Sequence, residues 1–344
     1  MIDDPFLQGG NSVTIKRMMK IHEMKREGDY ELVGLQDRDS RSEMWVAPAM
    51  GLNWCSWRVG GRELLYRCPD FFRRDIQKRR GGCPLLFPAV ARTWDLSKTP
   101  PVFGQYRHPN GQTFEMPIHG FAPKTEWERI QGERDETTFA YRLPITDEVR
   151  RRFYPYDVNM TIRFTLEPDA VMIDFAVENL GSEPAPFSFG IHPYFQLASR
   201  KNVILKMPSR HTMPLLEGMK VPAKPGQVEP GDDYTEGRVV DLTGGVDFPL
   251  TRLARPSQEH PLGAELLDSA SGRRFRLTFD PCFEDCMIFT DADSPFLCIE
   301  PWLPGLGGFG FLHQFPDDPV ATGLTVLAPA AKMTGKVRIQ VSDE

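Results

Sequence analysis

The sequence predicts an all-β protein, one large antiparallel β-sandwich, on three observations. Apolar and polar residues alternate with a period of two along many short runs, the mark of half-buried strands. The 31 prolines and 29 glycines are spread along the whole 344-residue chain instead of gathering in one linker, as many short strands joined by many turns require. Long amphipathic helical patterns are scarce.

Residues 1–40 are rich in charge and are set apart as a peripheral extension, which leaves 41–344 as a single sandwich domain. Trp54–Val59 and Arg62–Tyr66 form two strands about a Gly60-Gly61 turn, and Thr138–Arg142 forms another. The clearest strand places Val158, Met160, Ile162, Phe164 and Leu166 on one face and Asn159, Thr161, Arg163 and Thr165 on the other. An EPDA turn at 167–170 follows. Val171, Ile173, Phe175 and Val177 then repeat the pattern against Asp174 and Glu178, which completes an antiparallel hairpin. The stretch 208–261 has proline and glycine clusters and few alternating runs, so it is expected to form long loops over one face. Arg274–Phe279, Met287–Thr290, Phe296–Glu300, Leu324–Leu327 and Lys336–Val341 supply the remaining strands. No internal repeat is found.

A composition of 40% hydrophobic and 26% charged residues is that of an ordinary globular protein, and the formal net charge of −6 argues against a nucleic-acid partner. No apolar run approaches the ~20 residues of a membrane span. The N-terminus, MIDDPF, opens with acids and lacks an apolar signal core, so a cytoplasmic location is expected. Cysteines at 55, 68, 83, 282, 286 and 298 show neither a CxxC pair nor zinc-type spacing and read as reduced, mostly buried thiols. The seven histidines form no HxH or HExxH element. Chemistry without metal or cofactor is the expectation.

Two strings stand out, SFGIHPYF at 188–195 and FLCIEPW at 296–302. Each places an ionisable side chain, His192 or Glu300, directly before a proline, where the backbone is pushed into extended geometry. A histidine and a carboxylate on rigid backbone are the minimum equipment for general acid–base chemistry. Read as a strand, the first string turns Phe187, Phe189 and Ile191 to one side and Ser188, Gly190, His192 and Tyr194 to the other. The small residues on that second side leave room for a ligand. In the second string Phe296, Cys298, Glu300 and Trp302 share a face, so the carboxylate lies among apolar neighbours that raise its pKa. Trp302 offers a flat apolar platform for a ring. Two further segments carry candidates: GGCPLLFPAVAR at 81–92 ends in Arg92, whose planar fork suits hydroxyls, and PIHGFA at 117–122 presents His119 as a donor. Each residue has an ordinary structural explanation when taken alone, and their grouping is what points to chemistry.

Taken together and in this order, GGCPLLFPAVAR, HGFA at 119–122, VMIDFAVENLGSEPAPFSFGIHPYF at 171–195 and SPFLCIEPW at 294–302 resemble the aldose 1-epimerase (galactose mutarotase-like) superfamily. The likeness is to its divergent branch of LacX-like and hexose-6-phosphate epimerase-like proteins, over roughly residues 45–341. The resemblance implies a galactose mutarotase-like supersandwich with a sugar cleft and no cofactor. By this likeness Glu300 matches the general base and His192 the general acid, with Arg92 and His119 on sugar hydroxyls; Tyr194 and Trp302 join them as substrate-binding residues. Relatives also use an aspartate between the two strings, for which Asp232, Asp233, Asp241 and Asp247 all qualify. Where many relatives carry a basic residue directly after HGFA, this chain has Pro123 and then Lys124. The implied partner is a small sugar or sugar phosphate. The basic run Arg73, Arg74, Lys78, Arg79 and Arg80 lends support to the phosphate. A non-catalytic sugar-binding protein on the same sandwich is an alternative, as is carbohydrate cleavage, which would need a second acid facing Glu300.

Overall fold

The computed structural model describes residues 19–37, 39–130, 138–253 and 263–343. Among these residues, three large antiparallel sheets dominate the architecture, with three two-stranded sheets beside them. The largest has nine strands, and the hairpin expected from the alternating pattern lies at its centre as Val158–Leu166 and Ala170–Asn179, with Val158 opposite Asn179 and Leu166 opposite Val171. The Lys332–Asp343 strand pairs with Ala170–Asn179 on one side and Arg273–Phe279 on the other, so the end of the chain joins the two halves of this sheet. The second sheet has eight strands and includes Val246–Thr251, Asp285–Thr290 and Phe296–Trp302. The third has five, from Met19–Glu27 to Arg62–Glu63.

The main core lies between the first two sheets. Ile162, Phe164, Phe175, Val177 and Ile339 from the nine-stranded sheet meet Ile191, Ile288, Leu297 and Ile299 from the eight-stranded one. Phe175 and Phe189 bridge the layers at a centroid separation of 4.6 Å, as do Phe195 and Phe275. Such pairs add about 0.5–1.5 kcal/mol each to the gain from burial alone. The alternating pattern therefore has a direct outcome: one side of the eight-stranded sheet is consumed by the core and the other is left free for a site.

Two stretches hold more strand than their composition suggests. Of the charged segment 1–40, residues 1–18 and 38 lie outside the described residues, but Met19–Glu27 and Tyr30–Asp37 are strands of the five-stranded sheet, with Leu32 and Leu35 buried. Gly34 admits this packing, because a Cβ there would come within 2.5 Å of the Trp45 ring. Of the expected loops at 208–261, residues 254–261 lie outside the described residues. The rest holds several short strands and the six-residue Val246–Thr251, which pairs with Asp285–Thr290. Pro249 disguises that strand in the sequence, since proline lacks the N–H of a ladder bond. It is tolerated because the neighbouring His211–Thr212 strand pairs only with Leu250 and Thr251. No helix among the described residues is long and apolar enough to cross a membrane.

Candidate active site

The Phe296–Trp302 strand is buried along its whole length. Leu297 and Ile299 enter the main core, while Cys298 and Trp302 belong to small apolar clusters on the opposite face, where Glu300 also lies. On one flank the Asp285–Thr290 strand sets Met287 opposite Glu300 and Phe289 opposite Cys298. On the other flank, the string read as one continuous strand is broken into Gly190–Ile191 and Tyr194–Gln196. Pro193 has no N–H to continue a ladder, and the chain is stitched instead to the glycine-opened run. Ser188 N–H donates to the Pro88 carbonyl at 2.7 Å, His192 N–H to Pro84 at 3.0 Å and Tyr194 N–H to Gly82 at 2.9 Å. Two segments singled out separately in the sequence thus hold one another.

His192 Nε2 lies 3.2 Å from Glu300 Oε1. The two residues are 5% and 1% exposed. The imidazole stacks on the Tyr194 ring at 4.6 Å with only 4° between planes, and its Nδ1 has no partner, so stacking and burial fix the ring. Glu300 Oε2 is also buried and has no partner within hydrogen-bond geometry among the described residues. Trp302 is pressed against Gly190, where an added Cβ would fall 2.2 Å from Cδ1 of the indole. Above the pair lies a cavity of about 180 Å³ walled by Arg80, Arg92, His119, His192, Lys220, Asp247, Met287, Phe289, Glu300 and Trp302. That is smaller than the ~300 Å³ of pockets for drug-sized ligands, so it suits one small ring better than an oligosaccharide.

The charges follow from the burial. Loss of water pushes the Glu300 carboxyl well above its ordinary range; Asp247 adds to the effect, and Arg80 and the Trp302 indole oppose it. Loss of water pushes His192 well below its ordinary value, with His119 and Arg80 acting in the same direction. His119 is driven down to about 4, again chiefly by burial and then by Arg80 and Arg92. Its Nδ1 accepts the Ala91 N–H at 3.2 Å, which leaves the ring proton on Nε2 as a donor. His119 takes a positive φ of 66°, and Gly120 after it is fixed by a φ of 75° and by the Phe87 carbonyl, 2.0 Å from where a Cβ would stand.

Of the residues expected from the sequence, the structure brings Arg92, His119, His192, Glu300 and Trp302 to one cavity. Arg92 spends one nitrogen on the Gly218 carbonyl at 2.8 Å. Tyr194, expected to bind substrate, lies behind His192 and does not line the cavity. Among the four aspartates, Asp247 lines it, 3.4 Å from Lys220; Asp232 and Asp233 pair with Arg238 and Arg210, and Asp241 accepts the Thr243 N–H. Of the basic run only Arg80 reaches the cavity, over the Phe289 ring and beside Tyr194. Met287, Phe289 and Lys220 were not foreseen as part of the site. The first two were legible in principle, since the register of the 285–302 hairpin puts them on the face of Glu300 and Cys298.

The folded chain has the form of a galactose mutarotase-like sandwich. The sequence profile of the aldose 1-epimerase family matches residues 37–340, and the chain belongs to that family. No curated protein matches it. Among solved structures, the Slr1438 protein from Synechocystis sp. PCC 6803 is 22% identical with a TM-score of 0.74, over 94% of this chain and 96% of that one. A galactose mutarotase-like protein from Clostridium acetobutylicum is 16% identical with a TM-score of 0.73, over 95% and 99%. A galactose 1-epimerase from Lactobacillus acidophilus is 16% identical with a TM-score of 0.66, over 94% and 98%. At these identities the likeness speaks for the fold.

Proposed function

We propose that the protein interconverts the α and β anomers of an aldose, with Glu300 taking the proton of the anomeric hydroxyl and His192 giving one to the ring oxygen. The observation that carries this reading is the buried pair with Nε2 and Oε1 3.2 Å apart on the cavity wall. The two oxygens that exchange protons in ring opening sit on one carbon, so acid and base must be close neighbours. Burial leaves the resting pair with a neutral imidazole and a carboxyl that holds its proton. One transfer from Oε1 to Nε2 converts it to carboxylate and imidazolium, the forms that accept and give a proton. The ring then opens to the free aldehyde, rotation about C1–C2 exposes the other face, and the same two transfers in reverse close it. Two placed groups each contribute about 10² to 10⁴ in rate. His119 and Arg92 hold hydroxyls in this reading, and the catalytic steps draw on side chains alone.

A phosphorylated aldose is the second substrate reading. It rests on Arg80, Arg92 and Lys220 lining the same cavity, with Arg80 Nε lacking a partner among the described residues. Asp247 is a second carboxylate in the cavity, as hydrolysis would need, but Lys220 engages it and the direct His192–Glu300 contact serves ring opening better. The deciding experiment follows anomer exchange of several aldoses and their 6-phosphates by NMR. Glu300→Gln and His192→Asn are each expected to slow exchange at least ~100-fold with the fold intact. Unchanged exchange in the double variant removes the assignment, binding without exchange makes the protein a sugar binder, and cleavage of a glycoside points to hydrolysis.

A further inference from the structure

Cys298 is a buried polar neighbour of Glu300 for which that reaction has no use. Among the described residues, His192, Cys298 and Glu300 form a cluster in which one ligand atom from each lies within 4.8 Å of the other two. All three residues are buried, and Glu300 Oε2 has no hydrogen-bond partner. We propose that these three side chains form a binding site for a soft divalent cation, zinc in particular, and that its occupation switches the enzyme off.

The donor set of one imidazole, one thiolate and one carboxylate is of the kind zinc selects. Bonds of about 2.0–2.3 Å to nitrogen, oxygen and sulfur place tetrahedral ligand atoms roughly 3.3–3.8 Å apart. Nε2 and Oε1 already stand at 3.2 Å, so the ion needs only a small opening of the pair and an approach by Sγ. Binding displaces the thiol proton, and the carboxyl proton where Glu300 holds one, to solvent. No electron transfer is involved. Thiolate and carboxylate together cancel the charge of the ion, so the nearby guanidinium of Arg80 meets no net positive charge. Three protein ligands leave a fourth position for water on the cavity side. Spacing rules for paired cysteines or histidines miss such a set, because Cys298 and Glu300 share a face two residues apart on one strand while His192 comes from the neighbouring segment.

The inhibitory half of the inference rests on the acid–base reading above; the binding half does not. The test titrates chelator-stripped protein with CdCl2, following the ultraviolet thiolate-to-cadmium charge-transfer band, and with ZnCl2 by calorimetry. It compares the native chain with Cys298→Ser, and with Cys298→Ala where the serine variant does not fold. One ion per chain and a band that vanishes in the variant are expected. Loss of this direct ligand is expected to weaken zinc at least as much as the ~10–100-fold that follows loss of a supporting group. Zinc at about ten times its dissociation constant leaves about a tenth of the anomer exchange, EDTA restores it, and Cys298→Ser keeps its zinc-free exchange while resisting that same zinc. A cadmium band or zinc affinity equal in native and variant protein overturns the site. Binding as expected in a chain with no exchange activity leaves the site standing and removes the acid–base reading, whereas full exchange in the zinc-loaded native chain overturns the inhibition.

Discussion

His192 and Glu300 are pushed toward their neutral forms by the same cause, loss of water, and this decides how exchange depends on pH. The pair works with one proton between its two members. A second proton arrests it at low pH, and that step is depressed below the ordinary imidazole value. Loss of the only proton arrests it at high pH, and that step is raised above the ordinary carboxylate value. The two limbs belong to the pair and not to either residue. Exchange in chelator-treated protein is therefore expected to show a broad plateau across neutrality, as a pH–rate profile measures. Arg80 lowers the pKa of both groups, so Arg80→Gln moves both limbs to higher pH; limbs that stay in place would show that its charge does not act on the pair.

At the scale of strands, the site depends on one close approach. Gly190 is opposite Trp302 in the ladder and opposite Leu86 on its other side, so the indole lies where a side chain would otherwise be. Gly190→Ala is expected to cost about 1–3 kcal/mol by overpacking and to push Trp302 toward the cavity. Urea unfolding reads the first effect and the NMR exchange rate the second. A variant with native stability and native exchange would mean that this contact does not shape the cavity. The same strands show what local pattern conveys. Alternation at 158–177 fixed the hairpin and its inward residues, because register there follows from the pattern and a tight turn. Val246–Thr251 was hidden by Pro249 and owes its place to the distant Asp285–Thr290 strand, whereas Tyr30–Asp37 pairs with its chain neighbours and was hidden by its charged surroundings.

Across the whole molecule, the residue types of the site were legible and their assembly was not. The faces of Glu300 and His192 follow from strand geometry, but their contact is a long-range pairing that no local pattern encodes. The choice of Asp247 over three other aspartates, and of Arg80 from a basic run, depends on the same distant pairings. Burial of ionisable groups also sets how the fold as a whole responds to pH. Asp285 is buried, accepts the Thr251 hydroxyl at 2.5 Å and is pushed up to about 7 by burial, while His119 is pushed down to about 4. Between about pH 4 and 7 the native state keeps a proton on Asp285 that the unfolded chain gives up, so this group's stabilisation is lost as pH rises. Between about 6.5 and 4 the unfolded chain takes up a proton that buried His119 refuses, so that group's stabilisation is lost as pH falls. Each proton of difference is worth about 1.4 kcal/mol per pH unit, and the two slopes oppose one another over most of the range. Asp285→Asn removes one of them and keeps an acceptor for Thr251. The variant is expected to gain on the order of 2–4 kcal/mol over the native chain at pH 8 and nothing near pH 4, so that its stability climbs with pH across the interval. Thermal unfolding from pH 4 to 8 measures this, and a variant less stable than the native chain at pH 8 would mean that Asp285 is ionised and favourably paired in the fold.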